Sequence, residues 1–487
     1  RAENERIEAD AIAAAKLREQ EEARIAERRQ EKLDRAIEAA LSGDLARADK
    51  AILAAEQAGV SADQSHWLHG LVHWQRGIFS DAIREFEASI AVKPTVAAQA
   101  MLARSHFGIF ASSGGARSGP QMQKAMRDLE SLTPVTAEDY LCRGGLLRWR
   151  LSDNRSLDDI NTAIAMRDSP IARAFRALHL SGMATTNGDP KLVEQAMDDI
   201  RQAKFRVGDN MFVLHTSLMV HLRAADLYGE PGQAEKRKAV LVVAGADSEA
   251  LKDFPGSKVT LLRGSYFEHI GNDEAAFKLL EQAVAHDETN ELVWAYALAL
   301  YRKNQVEKAL DVLDRVPPSE NASVQFLRLC LMAEHPKYGR EKAYQSFREL
   351  MARHQREPGT QQLHVMTPFV PLFLGDRPGA TAAIGGLGRD FKVPGTEGAD
   401  MTNITNFVAR KMTEEQYLES VIGSRCVPYF LAGLVRLSEG DRKGALDQFQ
   451  KSVDTKWFVS WAYGYSRIFL ERLQRDPTWP TWIPAKK

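Results

Sequence analysis

Residues 67–90 read WLHGLVHWQRGIFSDAIREFEASI, and their spacing returns elsewhere in the chain. Gly70 and Gly77 lie seven residues apart, Ala82 follows five residues later, and Phe86 follows four residues after that. A small side chain in each of two helices lets them approach closely, and a glycine between them can adopt the positive φ that ends the first helix. The large side chain one turn beyond the alanine then fills the space between the helices. The stretch therefore predicts a tightly packed helix–turn–helix pair.

The same constellation occurs in two other places, in the same register. Its further copies are Gly264, Gly271, Ala276 and Leu280, and Gly433, Gly440, Ala445 and Phe449. One copy alone would be weak support, but three in register indicate a repeat architecture.

This pattern resembles the tetratricopeptide repeat family, whose unit is a helix–turn–helix of about 34 residues. The best unit covers residues 63–95 and closes at Pro94, and the resemblance extends over most of residues 30–457. The resemblance implies an all-α fold, a right-handed superhelical array of helix-turn-helix repeats. It also implies a non-catalytic chain without a cofactor, which binds a protein or peptide in a concave groove.

Other segments differ from the repeats in composition. Residues 1–35 are dense in Ala, Glu, Arg and Lys, and a heptad register would put charges in the seam, so a solvated helix is favoured over a coiled coil. An aromatic C-terminal segment would cover the apolar face that a last helix pair exposes. The predicted division is a charged connector helix (1–35), N-terminal repeats (36–110), a flexible insertion (111–120), divergent repeats (121–384), an irregular loop (385–400), a C-terminal repeat (401–456), and an aromatic cap and tail (457–487).

The composition is that of a globular protein with balanced charge. Lys and Arg number 64 against 65 Asp and Glu, which leaves a net charge of −1. Nucleic-acid binders normally carry an excess of positive charge, so we expect no nucleic-acid partner. The cysteines Cys142, Cys330 and Cys426 form no zinc or disulfide pattern, and we expect them to be small buried side chains.

No apolar stretch is long enough to span a membrane, since the best run, residues 239–246, is far too short. The chain begins at Arg1 and shows no signal peptide. We therefore expect a piece of a longer protein with any membrane anchor outside it. It would be soluble, either cytoplasmic or the extracytoplasmic part of an anchored protein.

A histidine cluster raises the alternative of an enzyme. His66, His69 and His73 lie on one helical face at spacings that can share a metal ion. The alternative function is therefore a metal-dependent hydrolase using these three residues. No carboxylate or fourth ligand follows nearby in the sequence, and the local signatures HExxH, GxSxG, Walker loop, HRD and DFG are all missing.

The orientation of this helix is open from the sequence alone. Amphipathicity favours buried Trp67 and Trp74 and a groove lined by His66, His69 and His73. The register of the family favours the reverse, with the tryptophans in the groove. A histidine-lined groove would bind in a pH-dependent way.

The family register also places further residues on concave faces. With Trp67 and Trp74, the candidate partner-binding residues are Arg104, Arg148, Trp149, Glu268, His269, Arg302 and Lys303. Arg and Trp are the residue types that dominate binding hot spots.

A second resemblance concerns context. A charged Ala/Glu/Arg helix that leads into divergent repeats is similar to the C-terminal regions of large bacterial membrane-bound Ser/Thr protein kinases. That likeness implies a signalling role, with this chain as a sensor or scaffold arm and catalysis in an upstream domain.

Overall fold

The computed structural model describes residues 2–112, 118–147, 153–229, 231–254, 256–286, 289–315, 322–356, 368–385, 401–421, 425–458 and 460–486. Over these ranges the chain forms helices and no β-strand. The predicted all-α fold class is confirmed.

The first half of the chain is a succession of helices joined by short turns. These helices are α1 (Ala2–Ser42), α2 (Leu45–Gln57), α3 (Ala62–Gln75), α4 (Phe79–Val92), α5 (Val96–Ser112), α6 (Gly119–Glu130), α7 (Ala137–Leu147), α8 (Asp153–Met166), α9 (Pro170–Asn187), α10 (Pro190–Val207), α11 (Met211–Leu227) and α12 (Ala234–Ala250).

The second half continues in the same way. Its helices are α13 (Ser257–His269), α14 (Asp273–Val284), α15 (Asn290–Arg302), α16 (Val306–Asp314), α17 (Ala322–Glu334), α18 (Gly339–Arg356), α19 (Phe369–Phe373), α20 (Arg377–Gly385), α21 (Met401–Val408), α22 (Glu414–Glu419), α23 (Cys426–Ser438), α24 (Arg442–Asp454) and α25 (Trp461–Arg475). Most odd-numbered helices pack on the helix that follows them, as α3 does on α4, α13 on α14 and α23 on α24. We call the odd-numbered helices A helices and the even-numbered ones B helices, and we extend these names to α9–α12.

The same type of turn, a glycine followed by Asn or Asp, joins the two helices in several pairs. Gly271 has a φ of 76°, which ends α13, and the side chain of Asn272 then accepts a hydrogen bond from the backbone N–H of Ala275 at the start of α14. Glycine tolerates this left-handed conformation, and an Asx side chain satisfies an N–H that the new helix leaves unpaired. Gly43 with Asp44 and Gly440 with Asp441 repeat the arrangement.

Close approach within a pair depends on the small residue of the A helix. A Cβ added to Gly70 would lie 2.5 Å from the ring of Phe86, and one added to Gly433 would meet the ring of Phe449 closer still. The prediction that the large residue fills the space beside the glycine is confirmed in these two pairs. At Gly264 the nearest side-chain atom would be 3.9 Å away, on Leu280, so the third pair is looser.

The charged N-terminal segment is continuous with the first repeat. α1 runs for 41 residues without a break near residue 35. Its residues 12–31 are exposed, whereas Ala36, Ile37 and Ala40 are buried against the pair that α1 forms with α2. A single helix thus serves as both the predicted connector and the first A helix.

The chain divides into two compact units. Unit 1 comprises Arg1–Arg176 and Gln202–Val213, and unit 2 comprises Ala177–Arg201 and Leu214–Lys487. The division falls inside helices and not at the predicted insertion, which lies between α5 and α6 with residues 113–117 outside the described part. Residues 386–400 of the predicted loop are also outside it, and the finer segment boundaries stay a prediction.

All three cysteines are buried, as predicted, and none of them forms a disulfide. Burial raises the pKa of Cys142 to about 12 and that of Cys426 to about 11, since the thiolate loses its hydration. None of the described helices is both long enough and apolar enough to cross a bilayer.

Candidate binding surface

In unit 1, one row of side chains crosses successive A helices. The guanidinium of Arg104, in α5, lies 4.6 Å from the ring centroid of Trp74, at the end of α3. Arg104 also donates a hydrogen bond of 3.4 Å to the carbonyl oxygen of Gly145, in α7. Two of the predicted binding residues therefore lie together on neighbouring helices.

The row continues through two aromatic residues that the repeat register did not predict. A Cβ on Gly145 would lie 3.7 Å from the ring of Phe175, in α9, and the centroids of Phe175 and Phe212 are 4.9 Å apart. All the members are partly exposed. We call this set the unit 1 row, and its members are Trp74, Arg104, Gly145, Phe175 and Phe212. The sequence feature that could have predicted Phe175 and Phe212 is an aromatic residue near the start of each of the A helices α9 and α11.

Arg148 and Trp149 follow α7 directly in the sequence but lie outside the described residues. Their assignment to the concave face stays a prediction.

The two tryptophans of α3 do not share one environment, so each fits a different one of the two predicted orientations of this helix. Trp67 is buried at 6% exposure, as amphipathicity predicts, whereas Trp74 contributes to the unit 1 row. Neither orientation describes the whole helix, because Trp67 and Trp74 have different surroundings.

The histidines face carboxylates on the flanking B helices. His66 Nδ1 lies 2.8 Å from Glu85 of α4, and His69 Nε2 lies 2.9 Å from Glu56 of α2. Hydrogen bonds from Ser65 and His69 lower the pKa of Glu56. His66 and His69 remain 42% and 45% exposed.

The histidine cluster gives no support to a metal-dependent hydrolase. His66 and His69 contact different carboxylates, and Nδ1 of His73 is buried without a hydrogen-bond partner. Within the described ranges, no group of three or more His, Cys, Asp or Glu side chains is placed to hold a metal ion.

In unit 2, the A helices are covered by the C-terminal helix of the chain itself. Tyr465, in α25, lies 4.7 Å from the ring centroid of Phe326 in α17, and its hydroxyl accepts a bond of 3.5 Å from Trp294 in α15. Phe469 stacks on Phe373 of α19 with centroids 5.1 Å apart. α25 also packs on the last pair, α23 and α24, so it covers more of the array than the predicted C-terminal cap would.

Polar groups secure the far end of α25 and the tail. Arg472 donates to the carbonyl oxygen of Tyr301 at 3.3 Å and pairs with Glu334 at 3.2 Å. Trp479, in the tail, donates to the same Glu334 at 3.0 Å. Burial raises the pKa of Glu334, and the Arg472 charge opposes that shift.

The predicted binding residue Arg302 lies under α25. Its guanidinium is 2.9 Å from Asp273 and 3.5 Å from the predicted residue Glu268, and Arg467 of α25 reaches the same Asp273 at 2.9 Å. Burial alone would raise the pKa of Asp273, but the hydrogen bonds from the two arginines lower it to about 2. Arg302 is only 14% exposed, so it serves internal packing.

His269 is not a surface residue, contrary to the concave position predicted for it. Its side chain is completely buried, with Nε2 3.0 Å from Asp226 and the ring stacked on Phe458 at 4.1 Å. The register gave the helix face, but it could not reveal that Phe458, far along the chain, packs against that face.

Lys303 makes a surface pair instead of lining a groove. Its ammonium lies 2.7 Å from Glu274 and 4.0 Å from the ring centroid of Phe277, both on α14. It thus faces the preceding B helix.

Comparison with known proteins identifies the repeat. Residues 271–330 match the family Tetratricopeptide repeat, and this range contains α14, the pair α15–α16 and most of α17. No curated protein matches the sequence.

Solved structures with a similar succession of helices include three assemblies or domains. A chain of the APC/C heterotetramer Cut9–Hcn1 is 12% identical, with 92% of this chain and 97% of that chain covered and a TM-score of 0.28. A chain of Naa15/Naa10 bound to HypK-THB is 14% identical, covering 89% and 74%, with a TM-score of 0.24. The P58(IPK) TPR domain is 14% identical, covering 85% and 98%, with a TM-score of 0.21.

Such low TM-scores carry no argument about function, so the assignment depends on the family match and on the helix pairs described above. Tetratricopeptide repeats are non-catalytic scaffolds for protein–protein interaction. The match identifies a tetratricopeptide repeat at residues 271–330, and glycine turns of the same kind join helix pairs elsewhere in the chain.

Proposed function

We propose that the unit 1 row binds a peptide segment of a partner protein. Trp74, Arg104, Phe175 and Phe212 would anchor the peptide across the A helices α3, α5, α9 and α11. Arg148 and Trp149 would extend the same surface.

The observation that carries the proposal is the continuity of the row. Arg104 contacts the ring of Trp74 and the backbone of Gly145, and Phe175, which lies beside Gly145, packs on Phe212. The five residues lie on five successive A helices, and each keeps part of its surface accessible. Aromatic and Arg side chains contribute most to hot spots, and the stacking of Arg104 on Trp74 fixes both before a partner arrives.

The unit 1 row differs from the corresponding A-helix surface of unit 2 because no described helix covers it. In unit 2 the corresponding helices already contact Tyr465, Phe469 and Arg472 of α25. A partner there would have to displace a buried helix, whereas the unit 1 row needs no displacement of a described element.

Site-specific photo-crosslinking tests the proposal. A photoreactive phenylalanine analogue is placed at Phe175 or Phe212, or at the control position Tyr344, whose ring lies 4.5 Å from Arg348 in an arrangement like that of Trp74 and Arg104. We expect one partner to crosslink from positions 175 and 212 but not from 344. Arg104→Ala should then weaken binding of that partner by about tenfold, and Arg348→Ala by less than about twofold.

Either of two results would contradict the proposal. One is that no protein crosslinks from positions 175 and 212 beyond what crosslinks from 344. The other is that Arg104→Ala and Arg348→Ala bind the partner equally while both retain the melting temperature of the wild type.

The finer role as the repeat arm of a bacterial signalling kinase is part of this proposal and depends on the sequence resemblance. The support from the fold is the continuous helix α1, which joins a charged, exposed stretch to the first repeat. Sequencing the whole reading frame tests it. A kinase domain and a membrane-spanning segment upstream would support the role, and a frame without them would contradict it.

A further inference from the structure

We infer that a pocket beside α12 binds a second kind of ligand, an acidic peptide segment that inserts a bulky apolar side chain. The pocket has a volume of about 380 Å³ and is bordered by the end of α11, by α12, by α13 and by the turn after α24. It belongs wholly to unit 2 and shares no residue with the unit 1 row.

The charged side chains that line the pocket are all of one sign. Arg237, Lys238 and Lys456 line it, and none of the described lining residues is a carboxylate. Lys238 and Lys456 make no ion pair with any described side chain. Three cations that lack a neutralising partner favour a ligand with negative charge.

Arg237 retains a donor that the protein does not use. Its Nη2 donates to the carbonyl oxygen of His269 at 3.1 Å, which holds the guanidinium in place, but its Nε is buried without a hydrogen-bond partner. A buried donor without a partner is costly, so a ligand oxygen that reaches it would gain from that defect.

Apolar side chains form the rest of the pocket and extend beyond it. Leu241, Val242 and Ile270 line it, and Val242 and Ile270 are 68% and 45% exposed. Val243, the next residue along α12, is 38% exposed. Exposed apolar residues gathered at the edge of a cationic pocket are typical of a binding site rather than of an ordinary solvated helix face.

The combination selects a peptide over other anions. A free phosphate would use the cations but leave the apolar wall exposed, and a bilayer surface is too flat to enter a recess. A peptide with Asp or Glu beside Leu or Phe satisfies both parts, because the carboxylates reach Lys238 and Lys456 while the apolar side chain covers Leu241 and Ile270.

Selection from a random peptide library displayed on phage tests the inference. The full chain is compared with the double variant Lys238→Glu/Lys456→Glu and with Lys308→Glu, which changes an exposed lysine of α16 that does not line the pocket. We expect the wild type and Lys308→Glu to enrich peptides in which acidic residues flank a bulky apolar one. In fluorescence anisotropy, the double variant should bind a selected peptide at least about tenfold more weakly, and Lys308→Glu within about twofold of the wild type.

Several outcomes would overturn the inference. These are the enrichment of no acidic-apolar peptides, the enrichment of the same peptides by the double variant, or displacement of the peptide by inorganic phosphate at an equal concentration. Phosphatidylserine vesicles that bind the wild type but not the double variant, without any selected peptide doing so, would identify a membrane site instead. Equal melting curves for all three proteins ensure that a loss of binding is not a loss of folding.

Discussion

The A helices of unit 1 and unit 2 follow the same construction but meet different neighbours. In unit 1, Arg104 contacts Trp74 and Phe175 contacts Phe212, and all four side chains keep part of their surface accessible. In unit 2, the side chains of α25 lie against α15, α17 and α19. The repeat spacing therefore determines how helices pair, while a segment remote in sequence determines whether the surface they form is free to bind.

The largest expected effect comes from removing an aromatic side chain that joins α25 to the other helices of unit 2. Phe469 is fully buried and stacks on Phe373, so Phe469→Ala should cost about 3–5 kcal/mol of unfolding free energy, measured in urea. Amide exchange should accelerate in α15–α19 and stay unchanged in α3–α7. The control Phe205→Ala, at a residue 90% exposed, should change stability by less than about 0.5 kcal/mol. Equal acceleration in both units would contradict the separate role of α25.

A second test asks whether both units pair their helices in the same way. Gly70→Ala and Gly433→Ala force a Cβ into the rings of Phe86 and Phe449, and each should cost about 1–3 kcal/mol. Gly264→Ala has room, so it should be neutral or stabilise by about 0.5–1 kcal/mol through the better helix propensity of alanine. Thermal unfolding measures all three, and an equal loss at Gly264 would show that the spacing alone, without the close approach, governs stability.

Acid should weaken both units, and unit 2 more strongly. Burial lowers the pKa of His215 to about 4, with Lys258 and Arg223 adding to the shift, and burial also lowers that of His106 in unit 1. The unfolded chain binds a proton near pH 6.5 and the folded chain only near pH 4, so stability falls as the pH decreases through that window. Between pH 7 and pH 5, His215→Gln should reduce the loss of unfolding free energy by about 2 kcal/mol. His106→Gln should reduce that loss by a smaller amount. Urea unfolding at the two pH values measures both effects. Parallel pH curves for wild type and His215→Gln would refute the assignment.

The smallest effect concerns a residue that the sequence placed in a groove. Lys303→Ala removes a surface pair with Glu274, so stability should fall by less than about 1 kcal/mol. Binding of the partner identified through Phe175 and Phe212 should stay within about twofold of the wild type. A tenfold loss in a binding titration would mean that unit 2 contributes to the same site after all.

The sequence could predict those features that neighbouring residues determine. The glycines and alanines that recur at fixed spacing led to the helix pairs, because the contact of Gly70 with Phe86 involves residues of a single hairpin. The same register failed at His269, which is covered by Phe458 from almost two hundred residues later. The periodicity of a sequence predicts which residues share a face of a helix, but it cannot predict that a distant segment packs on that face.

The residues proposed for binding show the same limit of prediction from sequence. Trp74 and Arg104 were predicted from the register and lie together, whereas Phe175 and Phe212 were missed because α9 and α11 lack the glycine spacing that fixed the register elsewhere. The sequence could not predict the pocket beside α12 either, because Lys456 and Arg237 are far apart in the sequence and come together only in the folded chain.

The three buried thiols provide the chain with its own reporters of opening. Cys142 belongs to unit 1, and Cys330 and Cys426 belong to unit 2. Because alkylating reagents attack the thiolate, a sulfur with a raised pKa and no access to solvent stays unmodified until its surroundings open. The order in which mass spectrometry finds these three positions labelled therefore records which unit opens first, without any added probe.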